Sequence, residues 1–278
     1  MSSFIQATGS LYARYQADNY DTTTNVWRDS YSSTRDIPSA SITTTGLSKE
    51  TVSNNGHQFN VIHGTPSTQI QFLCNSGLTS YTLFNVARYT GLGAKGRILS
   101  TDRSCDATAN FLSGFWGQNS GMAFHNDWLT NNNADIHGTD WVVSSDSYQI
   151  YRSNGVSRVV SAIGSSDLPS LSINRFENAI NEKSDFMIAD VIIFNKQLSL
   201  SQITTIENYL MAIYQSTICP DGSYSSNNIC TPCGAGYYCS GGIRSPCPTG
   251  SWSSASSISS SSQCIQCEAG KTTAGNSY

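Results

Sequence analysis

The stretch that decides the fold is Phe186-Met-Ile-Ala-Asp-Val-Ile-Ile-Phe194. Eight of its nine residues are apolar, so both faces need cover, as in a central strand between two layers. A helix is predicted next, at 200–214, because Ser199 and Gln202 form a capping box and Leu198 is spaced to contact Ile203 across that cap. The apolar stripe that this helix would turn toward the core is Ile203, Ile206, Leu210 and Ile213.

Upstream of that unit the chain consists of short strand-like runs separated by turn residues, the pattern of an all-β sandwich. Asn154-Gly155 tolerates positive φ and suits a tight type I′ turn between two of the runs. About twelve strands and one terminal helix predict two packed antiparallel sheets. The other predicted strands are Leu11–Gln16, Gln58–His63, Gln69–Cys74, Tyr81–Tyr89, Arg97–Ser100, Phe111–Trp116, Met122–His125, Trp141–Ser144, Tyr148–Arg152, Val156–Ser161 and Leu171–Asn174.

Composition limits the classes of protein to which the chain can belong. Charged residues make up only 12% of its 278 residues and the net charge is −4, whereas a nucleic-acid binder needs a basic stripe. No run of apolar residues is long enough to cross a membrane as a helix. The N-terminus carries no apolar run of signal-peptide length, so any export signal is expected to have been removed or never present.

The cysteines divide the chain into two regions. Seven of the nine lie at 219–278, a segment without Leu, Val, Phe or Met that cannot bury enough apolar surface to fold unless it is cross-linked. CPDGSYSS at 219–226 returns as CPTGSWSS at 247–254, so this region repeats itself. Closing each Cys-Pro-x-Gly segment on the next cysteine gives two of the predicted pairs. The predicted pairs are Cys219 with Cys230, Cys233 with Cys239, and Cys247 with Cys264.

The pairing leaves Cys267 alone or paired beyond the end of this chain, which suggests that the second repeat is truncated. A four-thiolate zinc site built from the two Cys-x-x-Cys pairs is the alternative, although it would leave three other cysteines without a partner. Cys74 and Cys105 are expected to pair within the first region; the alternative is two buried free thiols. Disulfides on this scale predict an oxidising, extracellular or cell-surface location.

Two resemblances follow from these motifs. The pattern CPxGxYSS…CxxCxxGYYCxGG…PCPxGxxS…CxxCxxG, over 219–278, resembles the ephrin-receptor-like cysteine-rich repeat, which implies a rod-like spacer without chemistry of its own. IYRSNGV with SDFMIADVIIFNKQLSLSQITTIENYLMAIY resembles the end of laminin-G-like, concanavalin-A-like jelly rolls, and LYARYQADNY…VWRDS resembles their opening. The expected organisation is therefore an antiparallel jelly-roll sandwich with one C-terminal helix at 1–217, and disulfide-rich repeats at 218–278.

Members of the jelly-roll family bind glycans or proteins, sometimes through calcium, and some cleave glycans. The glucanases on this fold need carboxylates spaced Glu-x-Asp-x-x-Glu on one strand, and none of the five glutamates begins such a string. The sequence therefore predicts no enzyme. Asp127, Asn131, Asp135 and Asp140 are candidate calcium ligands, since calcium prefers oxygen ligands, but turn formation explains the same residues. No other cofactor is expected.

A sugar site would combine aromatic surfaces with amide and carboxylate groups. Two segments have that composition, Phe115–Asn119 and His125–Trp128, although Trp and Phe in a sandwich are core residues by default. The candidate glycan-binding residues are Trp116, Gln118, Asn119, His125, Asp127 and Trp128.

The chain contains 22 Asn but no Asn-x-Ser/Thr sequon, which either reflects chance or a bacterial source, or indicates that neighbouring subunits cover a surface low in charge and leave no room for glycans. Together with the stalk-like tail, this favours a non-enzymatic structural or adhesive subunit of a polymeric surface assembly or filament, partnered by itself or by other extracellular proteins. A lectin-like glycan-binding module is the alternative, and a glycoside hydrolase is a second, disfavoured one.

Overall fold

The computed structural model describes residues 5, 8–91, 93–131, 136–137, 140–161, 167–177, 179–215, 219–226, 229–240 and 243–267. The chain divides into two compact units. The first, called the sandwich unit, comprises Met1–Val52 and Phe59–Met211; the second, the tail unit, comprises Ser53–Gln58 and Ala212–Tyr278.

Two large antiparallel sheets, one separate two-stranded sheet and one long helix make up most of the regular structure of the sandwich unit. The strands are β1 (Leu11–Gln16), β2 (Tyr20–Asp21), β3 (Val26–Trp27), β4 (Ile42–Thr43), β5 (Ser48–Asn54), β6 (His57–Gly64), β7 (Gln69–Leu73), β8 (Thr82–Arg88), β9 (Leu99–Ser100), β10 (Phe111–Trp116), β11 (Asn119–His125), β12 (Ile136–His137), β13 (Val142–Ser147), β14 (Ile150–Ser153), β15 (Val156–Ser157), β16 (Leu171–Ile173) and β17 (Phe186–Phe194). One sheet has the order β15-β14-β13-β8-β17-β6-β5, with β1 also paired to β17. The other has the order β12-β11-β10-β9-β16-β7-β4.

Strand β17 lies in the middle of the first sheet, where it pairs with β1, β6 and β8. All of its residues except Met187 are buried. The core between the sheets combines side chains such as Leu83 and Val191 from the first sheet with Ile70 and Phe115 from the second. The predicted all-β sandwich is therefore confirmed, because an apolar strand of this length is stable only when both of its faces are covered.

Helix α1 runs from Leu200 to Tyr214 and begins at the predicted capping box. The Ser199 backbone N–H donates to Oε1 of Gln202 at 3.0 Å, and the Gln202 N–H donates to the Ser199 hydroxyl at 3.3 Å. Ile203, Ile206 and Leu210 are buried. On the same helix, the buried Glu207 carboxylate accepts hydrogen bonds from Ser145 of β13 and Arg152 of β14, which ties α1 to the first sheet.

Some strand predictions differ from the structure at the sheet edges. β5 was not predicted, because its sequence SKETVSN is polar and its residues are half-buried or exposed, as suits the last strand of a sheet. The predicted strand Val156–Ser161 shrinks to Val156–Ser157 at the opposite edge. The Asn154-Gly155 turn has φ of 48° and 76°, the positive values that a type I′ turn requires.

The tail unit is built from paired short strands and disulfides. Its strands are β18 (Ser223–Ser226), β19 (Ile229–Pro232), β20 (Tyr237–Ser240), β21 (Ile243–Pro246), β22 (Ser251–Trp252) and β23 (Ile265–Gln266). They pair as β18–β19, β20–β21 and β22–β23. The disulfides of the whole chain are Cys74–Cys105, Cys219–Cys230, Cys233–Cys239 and Cys247–Cys264, and Cys267 is a free thiol.

The sequence repeat in the tail is also a repeat of backbone geometry. Gly222 and Gly250 have φ of 84° and 81°. The carbonyl of Gly222 accepts from the Cys233 N–H at 3.0 Å, and the carbonyl of Gly250 accepts from the Cys267 N–H at 2.8 Å. Each Cys-Pro-x-Gly turn therefore closes on the corresponding cysteine of its own copy.

Four disulfides indicate an oxidising compartment, since such bonds form and persist there. Among the described residues, no helix is both long enough and apolar enough to span a membrane.

Candidate functional site

Three half-buried aromatic rings form a patch at the β10–β11 hairpin of the second sheet; we call Trp116, Phe124 and Trp128 the aromatic patch. The ring centroids of Trp116 and Trp128 lie 5.4 Å apart, and those of Phe124 and Trp128 lie 5.0 Å apart. These spacings are typical of favourable aromatic pairs. The patch is apolar, yet each of its rings keeps part of its surface in solvent.

The hairpin ladder places these side chains on one face. Trp116 is the cross-strand partner of Asn119, so the indole and the amide lie side by side. Trp128 forms an isolated bridge to Phe124, which brings the segment after β11 back onto the hairpin. The turn between the strands is Gly117-Gln118, with positive φ at both residues.

Polar groups border the aromatic patch. Gln118 and Asp127 are exposed, and Asn119 is half-buried. The Gln118 N–H donates to the Lys95 carbonyl at 3.0 Å, which fixes the turn while leaving the side chain on the surface. Asp127 Oδ1 accepts from the Trp128 N–H at 2.7 Å. The structure thus brings five of the six predicted glycan-binding residues to one region of the surface.

His125 is the exception and requires a correction. Its side chain lies in the interior, stacked on Phe111 with ring centroids 5.0 Å apart. Nδ1 lies 3.1 Å from the Tyr148 carbonyl oxygen, and Nε2 lies 3.0 Å from Oδ1 of Asp146. Burial alone would lower the pKa of His125, but the neighbouring Asp146 carboxylate outweighs it and the pKa is raised. His125 therefore links β11 to Asp146 of β13 in the interior and cannot touch a surface ligand.

The candidate calcium ligands are only partly described. Asp127, Asn131 and Asp140 are exposed, and Asp135 lies outside the described residues. Across the described part of the chain, no three His, Cys, Asp or Glu side chains come together as a metal site would require. Asp127 instead caps its own turn, as Asp does in loops.

The structure also has a cleft that no pattern in the sequence predicted. A cleft of about 770 Å³ opens on the second sheet, and its lining comes from segments after β9 and β16 and from the start of β7. Its size falls within the range of small-molecule sites. We call it the arginine cleft, and its lining residues are Gln69, Asp102, Arg103, Ser104, Asn174, Arg175, Phe176, Glu177 and Ala179.

Asp102 lines the arginine cleft, and both of its carboxylate oxygens accept hydrogen bonds. Its Oδ1 accepts from the N–H and hydroxyl of Ser104, and its Oδ2 accepts from Gln71 Nε2 at 2.7 Å and Arg175 Nε at 2.5 Å. Burial would raise the pKa of Asp102, but these hydrogen bonds outweigh it and lower the pKa. The carboxylate is therefore a structural anion that orients Arg175.

Arg103 lies at the mouth of the arginine cleft with a loose partner. Its Nη2 is 3.7 Å from Oε1 of Glu177, beyond hydrogen-bonding distance, and the Glu177 side chain is 48% exposed. The Arg103 guanidinium lies 4.5 Å from the ring centroid of Phe176, and Arg97 lies 3.7 Å from the same centroid. The Arg103–Phe176 contact holds the Arg103 guanidinium without using its N–H donors, and Arg97 lies over the same ring.

No protein-family model matches the chain, and no curated protein matches it either. Among solved structures it is similar to Trypanosoma rangeli sialidase in complex with sialic acid, at 13% identity and a TM-score of 0.46, over 75% of this chain and 34% of the sialidase. This chain thus spans about a third of the length of that protein.

Two other solved structures are similar at the same level. Domain 4 of AbnA, a GH43 extracellular arabinanase from Geobacillus stearothermophilus in complex with arabinotriose, shares 14% identity with a TM-score of 0.46, over 71% of this chain and 98% of that one. The binding domain of Paraclostridial Mosquitocidal Protein 1 shares 12% identity with a TM-score of 0.48, over 78% of this chain and 57% of that one.

These comparisons correct the expected function. The similar structures are named as a sialidase, a sugar-bound arabinanase domain and a binding domain, and none of the three is named as a structural, adhesive or filament-forming subunit. The prediction of a structural subunit was wrong because it rested on composition, sequons and the tail. Those features describe the solvent-facing surface and the compartment, whereas a ligand site is defined by particular side chains.

Proposed function

We propose that the sandwich unit is a carbohydrate-binding module that binds glycans through the aromatic patch. The observation that carries this proposal is the cluster of three contacting, half-buried rings beside exposed amide and carboxylate groups. Binding sites for small molecules combine an apolar surface with a few oriented polar groups, and this patch has both.

The chemistry of a sugar fits these two parts. A pyranose or furanose ring has C–H faces, which can cover the rings of Trp116 and Trp128 and remove their remaining apolar surface from water. Its hydroxyls lie around the rim, where the Gln118 amide supplies both donors and acceptors and the Asp127 carboxylate supplies acceptors. Because the patch contacts one face of a sugar and leaves the other face in solvent, the module would bind short exposed segments of a glycan.

We propose binding without catalysis. Among the described residues of the sandwich unit, four of the five buried carboxylates are held in structural pairs: Asp190 with Arg14, Asp146 with His125, Glu207 with Arg152, and Asp102 with Arg175. The fifth, Asp29, accepts hydrogen bonds from three backbone N–H groups. Carboxylates committed in this way are poorly placed to act as a nucleophile and an acid on a bound sugar. Incubation of the protein with the glycan it binds should leave that glycan intact, and release of reducing sugar would contradict this part of the proposal.

We also propose an extracellular setting at a surface that displays glycans. The four disulfides support the compartment, and the sugar-binding patch supplies the partner. The cysteine-rich tail, with its resemblance to ephrin-receptor-like repeats, would then act as a spacer.

A glycan array followed by calorimetric titration tests the proposed function. Trp128→Ala and Trp116→Ala should each weaken binding of the best array ligand by about tenfold or more, since aromatic anchors dominate such contacts. Trp252→Ala is the matched control, because Trp252 is 46% exposed but belongs to the tail unit, and it should bind like the parent. Equal affinity of all three variants, or a full array without a ligand, would refute the proposal.

A further inference from the structure

The arginine cleft has more hydrogen-bond donors than its own acceptors use. Two guanidinium groups, Arg103 and Arg175, carry five N–H donors each. Arg175 donates to Asp102 and, at 3.3 Å, to the Ser104 hydroxyl, while Arg103 donates to the Ala107 carbonyl. The buried Nε of Arg103 has no hydrogen-bond partner among the described residues. The two guanidinium groups that line the cleft therefore carry more N–H donors than their hydrogen bonds to the described residues use.

The acidic side chains near the two arginines differ in how firmly they are held. Asp102 is buried and accepts four hydrogen bonds, so it cannot turn toward a ligand. Asp106, whose charge also acts on Arg103, accepts from the backbone N–H groups of Thr108 and Ala109. Glu177 alone is loosely held, at 3.7 Å from Arg103.

Several contacts cross-link the segments around the cleft. The backbone N–H of Arg103 donates to the Arg175 carbonyl at 3.3 Å, so the two segments that carry the arginines are joined directly. The Cys74–Cys105 disulfide anchors the loop that follows Arg103. Phe176 holds the Arg103 guanidinium by its ring face. A ligand would therefore meet donors that are already oriented, which lowers the entropic cost of binding.

We propose that the arginine cleft is a second ligand site that binds the anionic group of an acidic saccharide, with the anion displacing Glu177 and bridging Arg103 and Arg175. A carboxylate or a sulfate ester suits a guanidinium because both accept paired N–H donors. The cleft volume of about 770 Å³ accommodates the sugar that carries the group. The anion site stands on the cleft geometry alone, whereas the choice of a saccharide rests on the proposed function.

Titration of the full chain with three probes tests this site: a galacturonate tetrasaccharide, its fully methyl-esterified form, and a sulfated neutral tetrasaccharide. We expect at least one anionic probe to bind, more weakly as salt is added, and the ester to bind at least tenfold more weakly than the free acid if the acid binds. Binding of the ester as tightly as the acid, or of neither anionic probe, would overturn the proposal.

Two variants with opposite expected effects locate the site. Arg103→Gln should weaken binding of the anionic probe about tenfold or more. Glu177→Gln removes the competing carboxylate and should strengthen it severalfold, a gain that misfolding cannot produce. Arg28→Gln is the matched control, because Arg28 is exposed and its Nη2 lies 3.4 Å from Asp21 in a comparable loose pair. No change in either cleft variant would overturn the assignment.

The same titrations separate this site from the aromatic patch. Arg103→Gln should lower the affinity for the anionic probe by the same factor in the parent and in Trp128→Ala, because the two sites share no residue. Loss of that binding in Trp128→Ala, with Arg103→Gln unaffected, would place the anion at the aromatic patch and refute the cleft.

Discussion

Replacing Asp190 by alanine should destabilise the sandwich unit by about 3–5 kcal/mol, the usual cost of leaving one charge of a buried pair without its partner. Arg14 and Asp190 expose only 1% and 0% of their side chains. Arg14 Nη2 lies 2.5 Å from Oδ2 of Asp190, and Nε lies 3.1 Å and 3.2 Å from Oδ1 and Oδ2. In the variant the guanidinium stays between β1 and β17 without that carboxylate, so it keeps its desolvation cost.

Urea unfolding followed by circular dichroism measures this effect, with the slope of the transition checked for constancy. The control is Arg28→Ala, which breaks exposed pairs and should cost less than about 1 kcal/mol. The double variant Arg14→Met with Asp190→Leu removes both charges and should recover most of the loss. A loss below about 1 kcal/mol in Asp190→Ala, or a double variant no more stable than the single one, would refute the reasoning.

Two further predictions concern pH and the tail. The raised pKa of His125 adds stability that is fully present below pH 6.5 and is lost as the pH rises through the folded-state pKa. The urea midpoint, measured on both sides of pH 6.5, should therefore depend less on pH in His125→Gln than in the parent. An equal pH dependence of the midpoint in the two proteins would contradict this. Gly222→Ala should destabilise the tail more than Gly250→Ala in thermal unfolding. Both glycines have positive φ, but only at Gly222 would the new Cβ meet a backbone oxygen, that of Ser257, at 2.4 Å. Equal decreases in the unfolding temperature would contradict this.

The central part of the fold could be predicted from local sequence because its signals are local. The apolar run of β17, the capping box of α1 and the Asn154-Gly155 turn each specify their own backbone conformation. β5 could not be predicted in this way, because an edge strand needs little apolar surface and its polar sequence is also that of a loop.

The candidate sites were less predictable for a physical reason. His125 is of a residue type that binds sugars, but its position opposite Phe111 in the strand pairing directs its side chain inward. Because that register depends on the partner strand, it could not be predicted from the local sequence. The arginine cleft has no sequence motif, because Gln69, Arg103 and Arg175 come from three separate segments. Only the pairing of β16 with β7 and β9 brings those segments together.

Indole N–H signals in a nitrogen–proton correlation spectrum test the central claim most directly. The chain has five Trp, and each gives one indole signal. Addition of the best array glycan should shift the signals of Trp116 and Trp128 and leave those of the buried Trp27 and Trp141, and of the tail residue Trp252, in place. Saturating glycan that shifts neither Trp116 nor Trp128 would contradict the proposed carbohydrate-binding site.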